Sequence, residues 1–243
     1  MLTLIPISVL LGVAMLWVFR RTSNQKAIQS AKRRVQARLY EMRLFTDEPS
    51  LVWKAQIGLL AANARYLGLM LVPAAILTVP MLLLYAPLES FYGLAPLAPG
   101  DAALVTVQMK GPLDAAPAPA LWAPREIAVE TAGVRVLAER QVSWRIRPKA
   151  AVSSVLRIGD VTKTIQAGKG RRFISKRRVS SLWGFIWHPA ESPLPAGNID
   201  WIEIRYPSAS MGWLGLDLNW LIWLLLFSML TALLLKGRFG VTL

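Results

Sequence analysis

"MLTLIPISVLLGVAMLWVF", residues 1–19, carries no charged side chain, and "RRTSNQKAIQSAKRRVQARLYEMR", residues 20–43, follows directly with eight Lys/Arg and a single acid. Such an abrupt boundary is typical of a membrane surface, because Lys and Arg collect on the cytoplasmic side of a spanning helix. The boundary therefore predicts that the first nineteen residues cross a lipid bilayer.

The composition agrees with a chain that lies partly in lipid. Of its 243 residues 54% are hydrophobic and only 17% are charged, against about 25% in an ordinary soluble domain. The net charge of +14 indicates anionic partners such as lipid headgroups, nucleic acid or the ribosome. Cysteine is absent and His188 is the single histidine, which excludes disulfides and thiolate or histidine-based metal clusters. We expect neither a metal nor a cofactor.

Two further uncharged runs have spanning length. They are "YLGLMLVPAAILTVPMLLLYAPL", 66–88, and "LNWLIWLLLFSMLTALLL", 218–235. Each approaches or exceeds the roughly 20 residues that cross a bilayer as a helix, and lipid leaves helices as the way to satisfy the backbone. A cleaved signal peptide has basic residues before its apolar run. None precedes residue 2, so residues 1–19 are interpreted as an uncleaved anchor.

Pro73 and Pro80 lie seven residues apart on one face of the second run. Each removes a backbone donor and predicts a kink, and Thr78 is close enough to bond a freed carbonyl. Proline is common in spanning helices, so the pair indicates either ordinary tolerance or a bent helix that opens a groove.

The distribution of basic residues predicts the orientation. The segment 20–65 holds ten Lys/Arg and the tail 236–243 adds Lys236 and Arg238, whereas 88–109 holds none. By the positive-inside rule, the N-terminus and residues 89–211 lie outside, and residues 20–65 and 236–243 lie in the cytoplasm of a bacterium. The predicted organisation is a first span at 1–19, a basic helical hairpin at 20–65, a second span at 66–88, a β-rich domain at 89–211, an interfacial linker at 212–217, a third span at 218–235 and a tail at 236–243.

The segment 20–65 has the pattern of two antiparallel helices. Apolar residues recur at steps of three and four from Ile28 to Met42, which is the period of a helix face, and "TDEPS", 46–50, interrupts the pattern. The basic side chains proposed as contacts are Lys32, Arg33, Arg34, Arg38 and Arg43. They serve either to set the topology and bind anionic headgroups, or as a docking arm for a ribosome, a nascent chain or a partner protein.

Residues 89–211 alternate in the manner of strands. "ALVTVQM", 103–109, "QVSWRIRP", 141–148, and "NIDWIEIRYP", 198–207, place apolar side chains at every second position, which predicts a small antiparallel sandwich. The predicted fold class is therefore a membrane α+β protein with three transmembrane helices, a cytoplasmic antiparallel helical hairpin and an extracytoplasmic β-sandwich-like domain.

A second basic run, "KGRRFISKRR", 169–178, lies inside this β-rich segment. Its cations are Lys169, Arg171, Arg172, Lys176, Arg177 and Arg178. Nucleic acid is the usual partner of such a run, but outside the cytoplasm we expect no DNA, and a solvated loop, a headgroup contact or an acidic protein partner remain as alternatives. "SLWGFIWHPAESPLP", 181–195, follows as either a strand or an amphipathic segment on the membrane.

The order of span, basic cytoplasmic hairpin, span, external insertion and span resembles the Oxa1/YidC/EMC3 superfamily of membrane insertases. The resemblance covers residues 1–88 and 212–243, and it implies insertion of client helices through a groove open to the cytoplasm. Bacterial members carry a basic residue in that groove, and residues 2–19 have none. "RLFTDEP" and "GRFGV" also resemble bacterial membrane proteins to which no activity is attached.

The sequence contains no recognisable catalytic signature. It has no Cys, no Gly-rich phosphate loop of the required form and no carboxylate pair in a recognisable setting. We therefore expect a protein that is not an enzyme. The first hypothesis is a structural or accessory subunit of a larger membrane complex, with its β domain in contact with a partner. The alternative is an insertase-like protein or chaperone whose hairpin engages the ribosome or a nascent chain.

Overall fold

The computed structural model describes residues 2–44, 49–113, 118–170, 173–213 and 215–241. In this part of the chain the helices are α1 (Leu4–Thr22), α2 (Gln25–Leu44), α3 (Pro49–Leu88), α4 (Leu182–Trp187) and α5 (Trp220–Phe239), and a π-helical turn, Glu89–Gly93, continues α3. The strands are β1 (Ala103–Met109), β2 (Leu121–Trp122), β3 (Ile127–Val129), β4 (Val134–Val136), β5 (Gln141–Pro148), β6 (Val152–Ile158), β7 (Val161–Ala167), β8 (Arg177–Val179), β9 (Ile199–Ile204), β10 (Ser210–Trp213) and β11 (Leu216–Asn219).

Three helices are long and apolar enough to cross a membrane, which confirms the prediction of three long apolar helices. They are Leu4–Thr22, Trp53–Gly93 and Trp220–Phe239. The 40 residues of α3 extend about 60 Å at 1.5 Å per residue, twice the roughly 30 Å of a hydrocarbon core. The second hairpin helix and the second predicted span are thus parts of one continuous helix.

Pro73 and Pro80 both lie inside α3. Without N–H groups they leave the carbonyls of Leu69 and Ile76 without their usual helical donors. Thr78 Oγ1 donates to a different carbonyl, that of Ala74, at 2.9 Å. Thr78 therefore does not compensate for either proline, and the kinks stay a prediction.

The boundaries of the outer helices differ from the sequence-based ones. The helix α1 continues to Thr22, and the Ser23 N–H closes it by donating to the Phe19 carbonyl at 2.9 Å. Of the expected linker 212–217, the described residues 212–213 and 215–217 belong to the paired β10–β11 segment, and α5 begins only at Trp220. Gly215 has a φ of 78°, a left-handed conformation that favours glycine. This glycine permits the tight turn that the sequence analysis did not identify.

The chain divides into two compact units, of which the first comprises Met1–Met81 and Leu221–Leu243. Within it α1 and α5 pack closely at Gly12, where a Cβ atom would lie 2.7 Å from the Ser228 carbonyl oxygen and 3.0 Å from Thr231 Cβ. Small residues allow helix backbones this close approach. The buried hydroxyls of Ser8 and Thr231 donate to carbonyls of their own helices, at 2.8 and 2.7 Å, so their polar groups are satisfied locally.

The second unit, Leu82–Trp220, holds the strands. The larger sheet has the antiparallel order β3-β5-β1-β9-β8 with β4 also paired to β5, and the smaller sheet has the order β2-β6-β7. Val142, Trp144 and Ile146 of β5 are buried, as their alternation predicts. They share one hydrophobic core with Leu156 and Ile165 of the smaller sheet. The mixed helix and sheet class is confirmed, while the sandwich arrangement stays a prediction.

Candidate functional site

A basic groove lies between α2 and α3 in the first unit. Its volume is about 520 Å³, and it is lined by Ala31, Arg34, Ala37, Arg38, Glu41, Gly58, Ala61, Ala62 and Arg65. Alanine and glycine side chains leave space between the two helices, and the arginines surround that space. The predicted hairpin cations Arg34 and Arg38 are thus joined by Arg65, which the sequence analysis had counted only toward the topology.

The charges of this basic groove are unbalanced. Arg38 lies across Gly58, where a Cβ atom would be 3.0 Å from Arg38 Nε, and its Nη1 pairs with Glu41 Oε2 at 2.6 Å. Among the described residues Arg34 and Arg65 have no acidic partner within 4.0 Å. Three guanidinium groups against one carboxylate give the groove a positive potential, and guanidinium binds carboxylate or phosphate in two-point fashion.

The other predicted hairpin contacts lie outside this groove. Lys32 and Arg33 belong to α2 but do not line the groove, and the side chain of Arg43 lies outside the described residues. The basic segment therefore separates into groove arginines and cations on the remaining helix surface.

An apolar stripe runs along the same N-terminal part of α3. Trp53, Ile57 and Leu60 have exposed fractions of 66%, 55% and 69%. Steps of four and three residues place them on one helix face, next to the face that carries Gly58. The stripe precedes Tyr66, where the predicted span begins, but it lies inside the apolar helix Trp53–Gly93 that is long enough to cross a membrane. Large exposed apolar side chains outside lipid are typical of protein contact surfaces.

The outer basic run 169–178 is largely engaged within its own domain. Arg177 Nε donates to Glu203 Oε2 at 2.7 Å, and its guanidinium carbon lies 4.3 Å from the Trp201 ring centroid. Arg178 Nε donates to the Ser192 carbonyl at 2.8 Å and its Nη1 contacts Thr162 Oγ1 at 3.1 Å. Both arginines hold strands and loops together.

The remaining cations of this run have different surroundings. Lys176 is half exposed, and its Nζ lies 3.9 Å from Glu203 Oε1. Lys169 is exposed. Arg171 and Arg172 lie outside the described residues. A solvated loop and a binding surface both stay predictions for the whole run.

A buried ion pair in the β domain was missed by the sequence analysis. Lys163 is fully buried, and its Nζ donates to the carbonyl and the Oγ of Ser175, each at 2.6 Å, and to Glu191 Oε2. Glu191 also accepts from the Ser175 hydroxyl and, through Oε1, from the Thr164 N–H at 2.7 Å. We call Lys163, Ser175 and Glu191 the buried triad.

Burial and ion pairing have opposite effects on the pKa values of Lys163 and Glu191. Burial lowers the pKa of Lys163 to about 8, although the carboxylate of Glu191 opposes this change. Burial also acts to raise the pKa of Glu191, but the charge of Lys163 and the hydrogen bonds to the carboxylate outweigh it and the pKa is lowered. The pair is therefore ionised near neutral pH.

The geometry of the buried triad fits a structural role. A serine nucleophile must reach its substrate, and Ser175 is only 3% exposed while Lys163 is fully enclosed. The sequence did contain a signal for it. In β7 Lys163 alternates in phase with buried Ile165 and Ala167, and a charge on the core face of a strand requires a buried partner.

Aromatic residues join the two helix ends in the second unit. Trp220 Nε1, at the start of α5, donates to Glu89 Oε2 at 2.7 Å. The Trp220 ring lies 5.9 Å from the ring centroid of Tyr85 and 6.3 Å from that of Tyr92. The end of α3 and the beginning of α5 therefore enter the β domain side by side.

Comparison with known proteins found no matching family model, no matching curated protein and no matching solved structure. Within the described residues no cluster of three or more His, Asp or Glu side chains has the arrangement of a metal site.

Proposed function

We propose that this chain is an integral membrane protein that acts as an accessory subunit of a larger membrane complex and docks a partner protein on its basic hairpin. One observation carries the proposal. The hairpin places a groove with three arginines beside a face of α3 that exposes Trp53, Ile57 and Leu60. A partner with acidic and apolar side chains on one surface would fit both features.

Topology and headgroup attraction account for the arginines but not for the stripe. A few Lys/Arg near each span set the orientation, and anionic lipids attract any basic surface. With the membrane boundary at Tyr66, which is part of this proposal, neither effect needs the large apolar side chains of Trp53, Ile57 and Leu60. Burying one such side chain contributes roughly 1.5–3 kcal/mol, so a partner that covers all three gains substantial affinity. This favours protein over lipid as the occupant of the hairpin surface.

The orientation is part of the proposal. The basic residues of 20–65 and of the tail favour a cytoplasmic hairpin in the inner membrane of a bacterium, with residues 89–211 outside. Because the chain contains no cysteine, Leu137→Cys in the β domain and Gln36→Cys in α2 can each be labelled alone. An impermeant maleimide added to intact cells should label position 137 and leave position 36 unlabelled. The reverse pattern would overturn the orientation.

Photo-crosslinking of the full chain in native membranes tests the docking. A crosslinking residue at position 57, on the stripe, should capture a membrane-complex partner. The same residue at position 36, on the opposite face of α2 from the groove, should capture little. The paired change Arg34→Glu and Arg38→Glu should abolish the capture.

The matched control is the pair Lys26→Glu and Arg33→Glu, which changes the charge of α2 equally at exposed positions outside the groove. If both pairs lose the crosslink to the same extent, general basicity and not the groove is responsible. A lone 26.9-kDa particle after purification in mild detergent, with no crosslink at position 57, would contradict the subunit proposal. Crosslinks to ribosomal proteins or nascent chains would favour the insertase-like alternative instead.

A further inference from the structure

The two walls of the basic groove are faces of two antiparallel helices. The helix α2 ends at Leu44 and α3 begins at Pro49, so the chain reverses its direction between them. On α2 the lining residues recur at steps of three and four from Ala31 to Glu41, a rise of about 15 Å. Apart from the arginines and the one glutamate, the lining consists of alanine and glycine, which leave the space between the walls open.

The three arginines follow one another along the groove at intervals of about one helical turn. Arg34 and Arg38 are four residues apart on α2, which is about 6 Å along its axis. Arg38 overlies Gly58, since its Nε lies 3.0 Å from the Cβ position of that glycine. Arg65 is seven residues further along α3, about 10 Å from that level. Because the helices are antiparallel, the order along the groove is Arg38, Arg34, Arg65.

One carboxylate of this chain binds in the groove. Glu41 Oε2 accepts from Arg38 Nη1 at 2.6 Å, and the two side chains are exposed by 41% and 46%. An ion pair this exposed contributes little to stability, so the carboxylate of a partner can replace Glu41 at small cost. Arg34 and Arg65 have no acidic partner among the described residues. The groove therefore accepts a carboxylate at one arginine and has two further arginines for others.

An α-helix of a partner matches the spacing of these arginines. Side chains at positions i, i+4 and i+7 lie on one helix face, about 6 and 4.5 Å apart along the axis, which are the intervals of the three arginines. An extended strand presents one face at intervals of about 6.7 Å, so its third side chain lies roughly 3 Å beyond the last arginine. The small residues on both walls also allow a third helix to approach closely.

The apolar stripe borders the same groove. Ile57 and Leu60 directly precede the lining residues Gly58 and Ala61, so they lie on the neighbouring face of α3. A helix in the groove contacts the stripe with apolar side chains on one flank, while its acidic side chains face the arginines. The bound helix is therefore amphipathic.

We propose that the occupant of the basic groove is one amphipathic α-helix of the partner protein, with acidic side chains on three successive turns that pair with Arg38, Arg34 and Arg65. It rests on the proposed docking function and names the element of the partner that binds.

Synthetic helical peptides are the probes for this occupant. The facing peptide carries Glu at i, i+4 and i+7 beside an apolar stripe. Its isomer keeps the composition and the apolar stripe but spreads the three Glu around the remaining surface. Fluorescence anisotropy measures the binding of both peptides to the full chain in phosphatidylcholine nanodiscs. Exposed ion pairs are individually weak, so we expect the facing peptide to bind about tenfold tighter than the isomer.

Two matched pairs of variants locate the binding. Arg33 and Arg34 are neighbours on α2 and both are exposed, but only Arg34 lines the groove. Arg34→Glu should lower the tenfold preference to about twofold, whereas Arg33→Glu should retain it. Glu41→Gln releases Arg38 and should tighten the facing peptide about twofold. Gln36→Lys adds the same charge outside the groove and should leave the binding unchanged. Equal effects within either pair would overturn the inference, because general basicity would then explain the binding.

The remaining outcomes separate this helix from the docking proposal. If the two peptides bind equally, or if neither binds, the occupant is not a helix of this kind. If phosphatidylglycerol in the nanodiscs abolishes the binding, the groove prefers lipid headgroups and the inference is also overturned. Capture at position 57 that depends on Arg34 and Arg38 would keep the docking proposal even when the peptides show no preference. The absence of that capture would refute the docking itself.

Discussion

Removing one charge from the buried triad should destabilise the β domain strongly. In Glu191→Gln the ammonium of Lys163 stays fully enclosed beside the two acceptors of Ser175 and a neutral amide oxygen, and it loses its counter-charge. Breaking a buried ion pair by removing one partner costs about 3–5 kcal/mol, because the remaining charge is left uncompensated. We expect the upper part of this range, since the side chain of Lys163 has no contact with solvent.

The two members of the pair should not be equivalent. In Lys163→Met the Glu191 carboxylate remains 11% exposed and keeps the Thr164 N–H and the Ser175 hydroxyl as donors. The loss of stability in Lys163→Met should therefore be smaller than in Glu191→Gln. The double variant Lys163→Met with Glu191→Leu removes both charges, and such apolar replacements are often neutral. It should recover most of the stability that the single variants lose.

Hydrogen exchange of the full chain in lipid nanodiscs, read by mass spectrometry, provides the assay. Peptides from β6 and β7 should exchange about 700- to 4,000-fold faster in Glu191→Gln, which corresponds to about 4–5 kcal/mol, since each 1.4 kcal/mol is a factor of ten. Peptides from α1, in the other compact unit, serve as the internal control. A double variant as unstable as Glu191→Gln would refute the argument that an unpaired charge, and not lost packing, causes the effect.

Three further predictions concern packing, pH and a buried hydroxyl. Gly12→Leu should lower the thermal midpoint in detergent, because the larger side chain overpacks against α5 and costs about 1–3 kcal/mol. Gly68→Leu is the control, and it should leave the midpoint unchanged because no atom lies within 4 Å of the Cβ position of Gly68. Burial lowers the pKa of Lys163 to about 8, against about 10.4 in the unfolded chain. Between these two pH values the unfolded state binds more protons than the folded state. The free energy of unfolding should therefore gain from this group as the pH rises from 8 to about 10.4, and near-UV circular dichroism melts should show a flatter profile in Lys163→Met. Tyr206→Phe should destabilise the domain by about 1–3 kcal/mol, measured in the same melts, because the Gln166 N–H loses the Tyr206 oxygen that it contacts at 3.1 Å.

Local patterns in the sequence were enough to identify several of the strands and the three long apolar helices. The segments 103–109 and 141–148 coincide with β1 and β5, because a strand with one face in the core alternates at every second residue. The three apolar runs form helices for an equally local reason. The first two residues of the third run, Leu218 and Asn219, belong to β11 instead of the helix, because the glycine turn at Gly215 continues a strand pair up to the start of α5.

The groove and the buried triad could not be predicted from local sequence patterns, since both join residues that are distant in sequence. Arg65 meets Arg34 only because α3 returns along α2. Glu191 reaches Lys163 from 28 residues away, and no periodicity connects them. The alternation of β7 did place a lysine on a core face, so the need for a partner could be inferred, but the identity of that partner depends on the tertiary fold.

The basic side chains of this chain have three kinds of surroundings, and these indicate which of them can gain free energy by binding an anion. The charge of Lys163 is paired with Glu191 in the core, and the guanidinium of Arg178 donates to backbone acceptors between loops. A cation already bonded within the fold must give up those bonds before it can bind an anion, which removes most of the gain. Arg34 and Arg65 have no acidic partner among the described residues, and both line one groove. The net charge of +14 is therefore a poor guide to function by itself, and the unpaired arginines of the hairpin are the positions where an acidic partner gains most.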